Sequence, residues 1–139
     1  CRGPHGDRTR AFIVAGPPDR RQSVVYDAVQ ASAAAARAVL RPGIEVAELD
    51  RVARGVLADA GFAELFTHGL GHGVGLQIHE SPLIAASAAG TIPEGAVVTI
   101  EPGVYLPGEF GVRIEDTCQV TASGVTVLTD FPRELTRIA

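Results

Sequence analysis

The stretch Thr67–Glu80, THGLGHGVGLQIHE, holds His68, His72 and His79, three of the four histidines of the chain, and four of its sixteen glycines. A glycine inside a helix costs about 1 kcal/mol relative to alanine, so Gly69, Gly71, Gly73 and Gly75 argue against a helix here. The helical His-Glu-x-x-His metal motif is excluded with it. His79-Glu80 is followed by Pro82, and Leu83 stands where the second histidine would be needed. Bare backbone permits tight turns and close approach of neighbouring chain, which predicts a loop or kinked strand that points imidazoles into a cleft. A lone histidine such as His5 reads as a surface or satisfied residue, whereas three on one glycine-rich segment suggest a shared task.

The same segment separates two textures. Before it, Phe12 to Val14 is a short apolar run ended by Gly16-Pro17-Pro18, the pattern of a strand leaving into a turn. Asp19 caps a helix predicted over Arg20–Leu40, where Val25, Val29, Ala36 and Val39 share a face and Pro42-Gly43 ends the run. A second helix places Val46, Leu49, Val52, Ala53, Val56 and Leu57 on one stripe and closes at Gly61. After the histidines come β-like runs at Ala96–Ile100, Gly111–Val120 and Val125–Thr129, with a hairpin turn predicted at Thr121-Ala122-Ser123-Gly124. Two helices followed by mostly antiparallel strands give an α+β class, with one domain over residues 1–139 and no repeat.

At 139 residues and 46% hydrophobic, the chain is long and apolar enough for one soluble domain with its own core. No apolar run approaches the roughly 20 residues needed to span a bilayer, and CRGPHGDRTR lacks the apolar segment of a secretion signal. A formal charge of −4, with every basic residue a scattered arginine, argues against a nucleic-acid footprint. Cys1 and Cys118 make neither a disulfide framework nor a paired-cysteine metal site, which points to a reducing cytoplasm.

Acids supply the second half of the pattern. Glu101 ends the apolar run Val97-Val98-Thr99-Ile100 and precedes Pro102-Gly103, so a carboxylate stands at the mouth of a buried strand. Alternation along Val112–Val120 puts Arg113, Glu115 and Thr117 on the less apolar face. Carboxylates in such places are costly unless paired. Read structurally, Glu115 pairs in the sheet with Arg113 and Glu101 caps a strand end. Read chemically, a histidine and several carboxylates converge on a divalent cation.

The runs GHGVGLQIHESP (71–82), VVTIEPGVYLPG (97–108) and GVRIEDTCQVTASGVTVLT (111–129) resemble the M24 metallopeptidases of the pita-bread fold, in their Xaa-Pro aminopeptidase and Xaa-Pro dipeptidase branch. The likeness extends from about Gly6 to the C-terminus and is most specific from Thr67 to Thr129. The methionine aminopeptidase branch shares the GHG-type stretch but carries its acid in a Glu-His-Thr setting, where this chain has Arg113-Ile114-Glu115-Asp116. The resemblance implies metal ligation by Asp7, His72, Glu101 and Glu115, with Glu101 also shuttling a proton. Asp7 is followed by Arg8 where the family usually has an apolar residue. By the same resemblance, His68 and His79 contact substrate and the developing oxyanion, and Arg113 orients Glu115.

The implied reaction is hydrolysis of the peptide bond of Xaa-Pro substrates by a hydroxide bridging two divalent ions (Mn, Co, Zn or Fe), with proline at the second position and proline selectivity set by pocket shape. A homodimer is compatible with it, and neither nucleic acid nor membrane is expected as a partner. A further family aspartate about ten residues before the position of Asp7 is not in this sequence, and there is no methionine, so Cys1 is not a translation start. The expectation is therefore a truncated piece of the catalytic domain, the end of the first αβ half plus the whole second half, with an incomplete second metal site and weak or no activity alone. Two other readings are a catalytically silent pita-bread binding module and a carbon–nitrogen hydrolase of the creatine-cleaving type. Retention of His72, Glu101 and Glu115 together favours the peptidase over the silent module.

Overall fold

Asp19 accepts a hydrogen bond from the amide of Gln22, and Gln22 returns one to the amide of Asp19, a reciprocal capping box that starts α1 (Arg20–Val39). The computed structural model describes residues 3–14 and 16–138; Cys1 lies outside them. Val25, Val29, Ala33 and Ala36 form the buried stripe of α1. In α2 (Val46–Asp59) the corresponding stripe is Val46, Leu49, Ala53 and Leu57. The helix stops where Gly61 takes φ +85°, a conformation that costs glycine little. The Ser32 hydroxyl donates across the helix pair to the Ala53 carbonyl at 2.8 Å, so the one buried polar group of the α1 stripe is satisfied.

The strands are short. β1 (Phe12–Val14) pairs in parallel with β9 (Thr136–Ile138). The main sheet has the order β3 (Glu80–Ile84), β2 (Gly71–Gly73), β4 (Val97–Ile100), β7 (Asp116–Thr121), β8 (Gly124–Val127), each neighbour antiparallel to the next. A separate hairpin joins β5 (Gly103–Leu106) to β6 (Phe110–Arg113). Helix α1 packs on β4, β5 and β6, and α2 packs on β3. The core between them is filled by Ile84, Val98, Ile100, Val104, Ile114 and Val120. Among the described residues, no helix is long and apolar enough to cross a membrane. Cys118 is buried in this core, and burial pushes its thiol up to about 12, beyond the range of a reactive thiolate.

The run predicted as one strand over Gly111–Val120 is two. β6 belongs to the hairpin with β5, and β7 belongs to the main sheet, so the chain changes sheets at Ile114-Glu115. The amide of Glu115 bonds to neither sheet but to the carbonyl of Thr9, at 3.0 Å. The alternation nonetheless holds across the break. Arg113 and Glu115 both reach the Thr9 hydroxyl, and Thr117 bonds to Asp7.

Candidate metal centre

His72 sits in the middle of β2, and its neighbours explain why that strand must be glycine-rich. A Cβ on Gly71 would lie 2.1 Å from the Thr99 carbonyl oxygen, and one on Gly73 would lie 2.2 Å from that of Ser81. The register against β3 shifts between His72 and Gly73, which makes this a kinked strand as expected. The imidazole is fixed by its own backbone. Nδ1 donates to the Gly73 carbonyl at 3.0 Å, which leaves a lone pair on Nε2. That nitrogen faces Glu101 Oε1 at 3.2 Å and Asp7 Oδ2 at 3.8 Å.

Each acid arrives from a different element. Glu101 follows the last residue of β4; its amide donates to the Leu70 carbonyl at 2.8 Å, and its Oε1 accepts from the Thr99 hydroxyl at 3.1 Å. The same hydroxyl accepts the His72 amide at 3.0 Å. Asp7 is held through its backbone, which exchanges two hydrogen bonds with the Thr117 hydroxyl. Glu115 is buried at the sheet change, where the Thr9 hydroxyl donates to its Oε2 at 2.5 Å. Burial pushes its carboxyl up to about 7 despite that bond; Glu101 and Asp7 push the same way and Arg113 opposes.

One ligand atom each from Asp7, His72 and Glu115 lies within 4.8 Å of the others. Carboxylate oxygens crowded around a nitrogen lone pair repel one another unless a cation or protons stand between them. One imidazole with several carboxylates is the donor set of divalent Mn, Fe, Co or Zn. The residues present therefore fit such an ion.

Further side chains bond to one another around this cluster. His68 donates from Nδ1 to the Gly69 carbonyl at 2.8 Å, so its Nε2 accepts from the Tyr105 hydroxyl at 2.7 Å. Both ring nitrogens are thus engaged, and the phenol stands between His68 and Arg113, whose Nη1 donates to it at 3.5 Å. Arg113 also donates from Nε to the Thr9 hydroxyl at 3.1 Å, so it reaches Glu115 through Thr9. Among the described residues no ion pair joins Arg113 directly to Glu115. The Arg113 guanidinium is pushed above its ordinary value: burial alone would lower it, but the Tyr105 bond and the charges of Glu101 and Glu115 outweigh that. His79 packs edge-on against His72, with ring centroids 4.3 Å apart. His5 is exposed, and among the described residues its hydrogen bonds go to the Gly75 carbonyl.

Several residues that the sequence reading passes over are essential to this arrangement. Tyr105 had a signal, because Gly103 stands two residues before it on β5 and Gly111 opposite it on β6, and a Cβ on either would strike its ring. On α2, Asp50 is fully buried, pairs with Arg54 at 2.9 Å and accepts the Leu70 amide at 3.1 Å. Arg54 in turn donates to the carbonyls of Phe66 and His68, at 2.8 and 2.9 Å. Thr9 and Thr99 carry no motif. They look like ordinary hydroxyl residues until the fold brings them against Glu115 and Glu101.

The model of metallopeptidase family M24 matches residues 1–122. An Xaa-Pro dipeptidase of Pyrococcus horikoshii is 44% identical over 131 residues, covering 94% of this chain and 37% of that relative. The probable dipeptidase PepE of Mycobacterium tuberculosis is 42% identical over 133 residues, covering 96% and 35%. Among solved structures, the prolidase from Pyrococcus horikoshii OT3 superposes with a TM-score of 0.92 at 42% identity, covering 95% of this chain and 38% of that one. The X-Pro aminopeptidase from Thermotoga maritima MSB8 gives 0.91 at 36% identity, covering 95% and 37%. The chain thus has the pita-bread architecture of these proteins over a span of little more than a third of their length.

Proposed function

Because the chain belongs to metallopeptidase family M24, we propose that it carries metal-binding and substrate-facing residues of a peptidase of the Xaa-Pro dipeptidase or aminopeptidase type, as part of its catalytic domain. One observation carries the reading. Asp7, His72 and Glu115, from three distant parts of the sequence, present ligand atoms within 4.8 Å of one another, and Glu101 lies 3.2 Å from the same imidazole. Asp7, His72, Glu101 and Glu115 would hold the ion or ions, Mn²⁺, Co²⁺, Zn²⁺ or Fe²⁺ by donor type. When bound, such ions supply Lewis acidity, polarising the scissile carbonyl and making water a nucleophile near neutral pH.

The chain's own groups do the rest. His72 donates its Nδ1–H to the Gly73 carbonyl, so Nε2 is the nitrogen it would offer to an ion. Glu101 Oε2, opposite the oxygen engaged by Thr99 and His72, takes the proton that attacking water releases and passes it to the leaving nitrogen. His79 is exposed and has no side-chain hydrogen bond among the described residues, so it is the imidazole placed to donate to the developing oxyanion. His68 is committed to Tyr105, and it serves by fixing the phenol beside Arg113. A cleft of about 400 Å³ opens beside these groups, lined by His68, Gly69, Gly71, His72, Leu83, Glu101 and Arg113. Leu83 and the bare glycine backbone give it an apolar wall suited to a proline ring, whose imide nitrogen has no hydrogen to donate.

Metal titration and a chimera test this reading. Co²⁺ is expected to bind the chain, and His72→Ala or Glu115→Ala to abolish that binding. Hydrolysis is read in a chimera in which this chain replaces the matching 131-residue segment of the Pyrococcus horikoshii relative. Cleavage of Xaa-Pro over Xaa-Ala dipeptides is the expected result. A folded chimera that binds Co²⁺ but cleaves no peptide would overturn the peptidase reading in favour of a silent module.

A further inference from the structure

We infer that Arg10 is a positioning residue that sets the distance between Asp7 and Glu115 before any cation arrives; this rests on the reading of those two acids as metal ligands. Arg10 lies three residues after Asp7, and its side chain is 5% exposed. Its guanidinium reaches three separate stretches of chain. Nη1 donates to the Thr9 carbonyl at 2.9 Å and to the Glu115 carbonyl at 2.6 Å. Nη2 donates to Asp116 Oδ1 at 2.8 Å and to the Phe131 carbonyl at 2.8 Å, and Nε donates to the Pro132 carbonyl at 2.8 Å.

These bonds close a small ring. The Glu115 amide donates to the Thr9 carbonyl, the Thr9 hydroxyl donates to the Glu115 carboxylate, and Arg10 ties the carbonyls of both residues. Glu115 sits where the chain changes sheets, so neither β6 nor β7 fixes its backbone by a strand ladder. The planar fork of arginine supplies that constraint, and an ammonium could not span the same acceptors.

Asp116 explains how a buried guanidinium is tolerated there. Its carboxylate, fully buried, receives Arg10 on Oδ1 and both Arg37 and Arg133 on Oδ2, at 2.9 and 2.7 Å. The three arginines therefore divide by task. Among the described residues, Arg37 and Arg133 bond to the far oxygen of Asp116, whereas Arg10 also bonds to the carbonyls of Thr9 and Glu115.

The test compares Arg10→Lys and Arg10→Gln with Arg133→Gln in the full 139-residue chain. Three quantities are read: melting temperature without metal, Co²⁺ affinity, and the visible absorption of bound Co²⁺. Replacing a residue that orients metal ligands weakens affinity by roughly 10- to 100-fold. Both Arg10 variants are expected to lose affinity on that scale and to change the Co²⁺ spectrum, Lys included. Arg133→Gln is expected to lower the melting temperature while keeping wild-type affinity and spectrum. Wild-type Co²⁺ affinity and spectrum in Arg10→Lys, or equal weakening in Arg133→Gln, would overturn the inference. No Co²⁺ binding by the wild type would instead sink the ligand reading on which it rests. A measurement on the unaltered chain stands apart from the folding of any variant. The Glu115 amide should exchange with deuterium as slowly without metal as the core amides of β7, and exchange as fast as at the exposed Ala122–Ser123 turn would also overturn it.

Discussion

Between Leu70 and Gly75 the histidine wall of the centre is held by close-packed backbone, with Gly71 against Thr99 and Gly73 against Ser81. The acid wall, Glu101 together with Arg113 to Thr117, is held by side chains, through the hydroxyls of Thr99, Thr9 and Thr117 and the guanidinium of Arg10. On the first wall the buried charge, Asp50 paired with Arg54, reaches the backbone at Leu70 and not the imidazole of His72. The second surrounds a buried carboxylate with partners of both signs. Glycine gives the histidine wall its position by steric exclusion, which has no pH dependence. Hydrogen bonding and charge give the acid wall its position, so its stability follows protonation and metal. The two walls should fail in different ways when altered.

The largest expected effect is steric. Gly71→Ala would place a Cβ 2.1 Å from the Thr99 carbonyl oxygen and 2.8 Å from its carbon, and that backbone lies inside the main sheet. The expected destabilisation is about 3 kcal/mol, at the upper end of overpacking, read from the midpoint of urea unfolding. Gly75→Ala is the contrast. Its Cβ would meet the end of the exposed Glu80 side chain, which can swing away, so the cost there is smaller. Equal midpoints for Gly71→Ala and the unaltered chain would break the claim that close backbone positions His72.

On the acid wall the lever is pH. The Glu115 carboxyl, raised from 4.5 to about 7, binds its proton more tightly folded than unfolded. Between those values the native state holds the extra proton, so metal-free stability falls as pH rises from 4.5 to 7, by at most about 3 kcal/mol. Below 4.5 both states are protonated and the group contributes no slope. Glu115→Gln should flatten the fall, measured as the difference between variant and wild-type melting temperatures across that range. Co²⁺ added at pH 7 should restore stability, because the cation binds the deprotonated carboxylate of the folded chain. A His79→Ala chain should keep the slope. A slope unchanged in Glu115→Gln would show that burial of this carboxylate does not govern the acid wall.

The helices were legible because each carries its information locally. Asp19 and Gln22 announce a capping box, and the spacing of Val46, Leu49, Ala53 and Leu57 announces a buried stripe. The three-residue β2 could be read as kinked from its glycines, but β1–β9 pairing could not, since it joins residues more than a hundred positions apart. Gly111–Val120 looked continuous because alternation reports which side a residue faces and is blind to which sheet its backbone joins. His72 and the acids stood out through residue type and resemblance, and the fold brings them together. Thr9, Arg10 and Thr99 did not, because a positioning residue is defined by partners that only the folded chain supplies, and Tyr105 was marked only by the glycines around it.

Thr99 tests whether the two walls are independent at all, and its expected effect is the smallest. Its hydroxyl accepts the His72 amide and donates to Glu101, so one buried oxygen belongs to both walls. Thr99→Val keeps the shape and removes that oxygen, leaving the amide without an acceptor, for an expected loss of about 1.5 kcal/mol. Thr99→Ser keeps the oxygen and removes a methyl group, for about 1 kcal/mol. The stability losses are close, so stability alone does not discriminate. Co²⁺ affinity does: Thr99→Val should weaken it severalfold by releasing both His72 and Glu101, while Thr99→Ser should leave it unchanged. Equal affinities in the two variants would mean that each wall holds its ligand alone, and that the shared hydroxyl is a packing convenience. A loss confined to valine would make the hydroxyl the joint through which a change in the glycine-held strand reaches the acid.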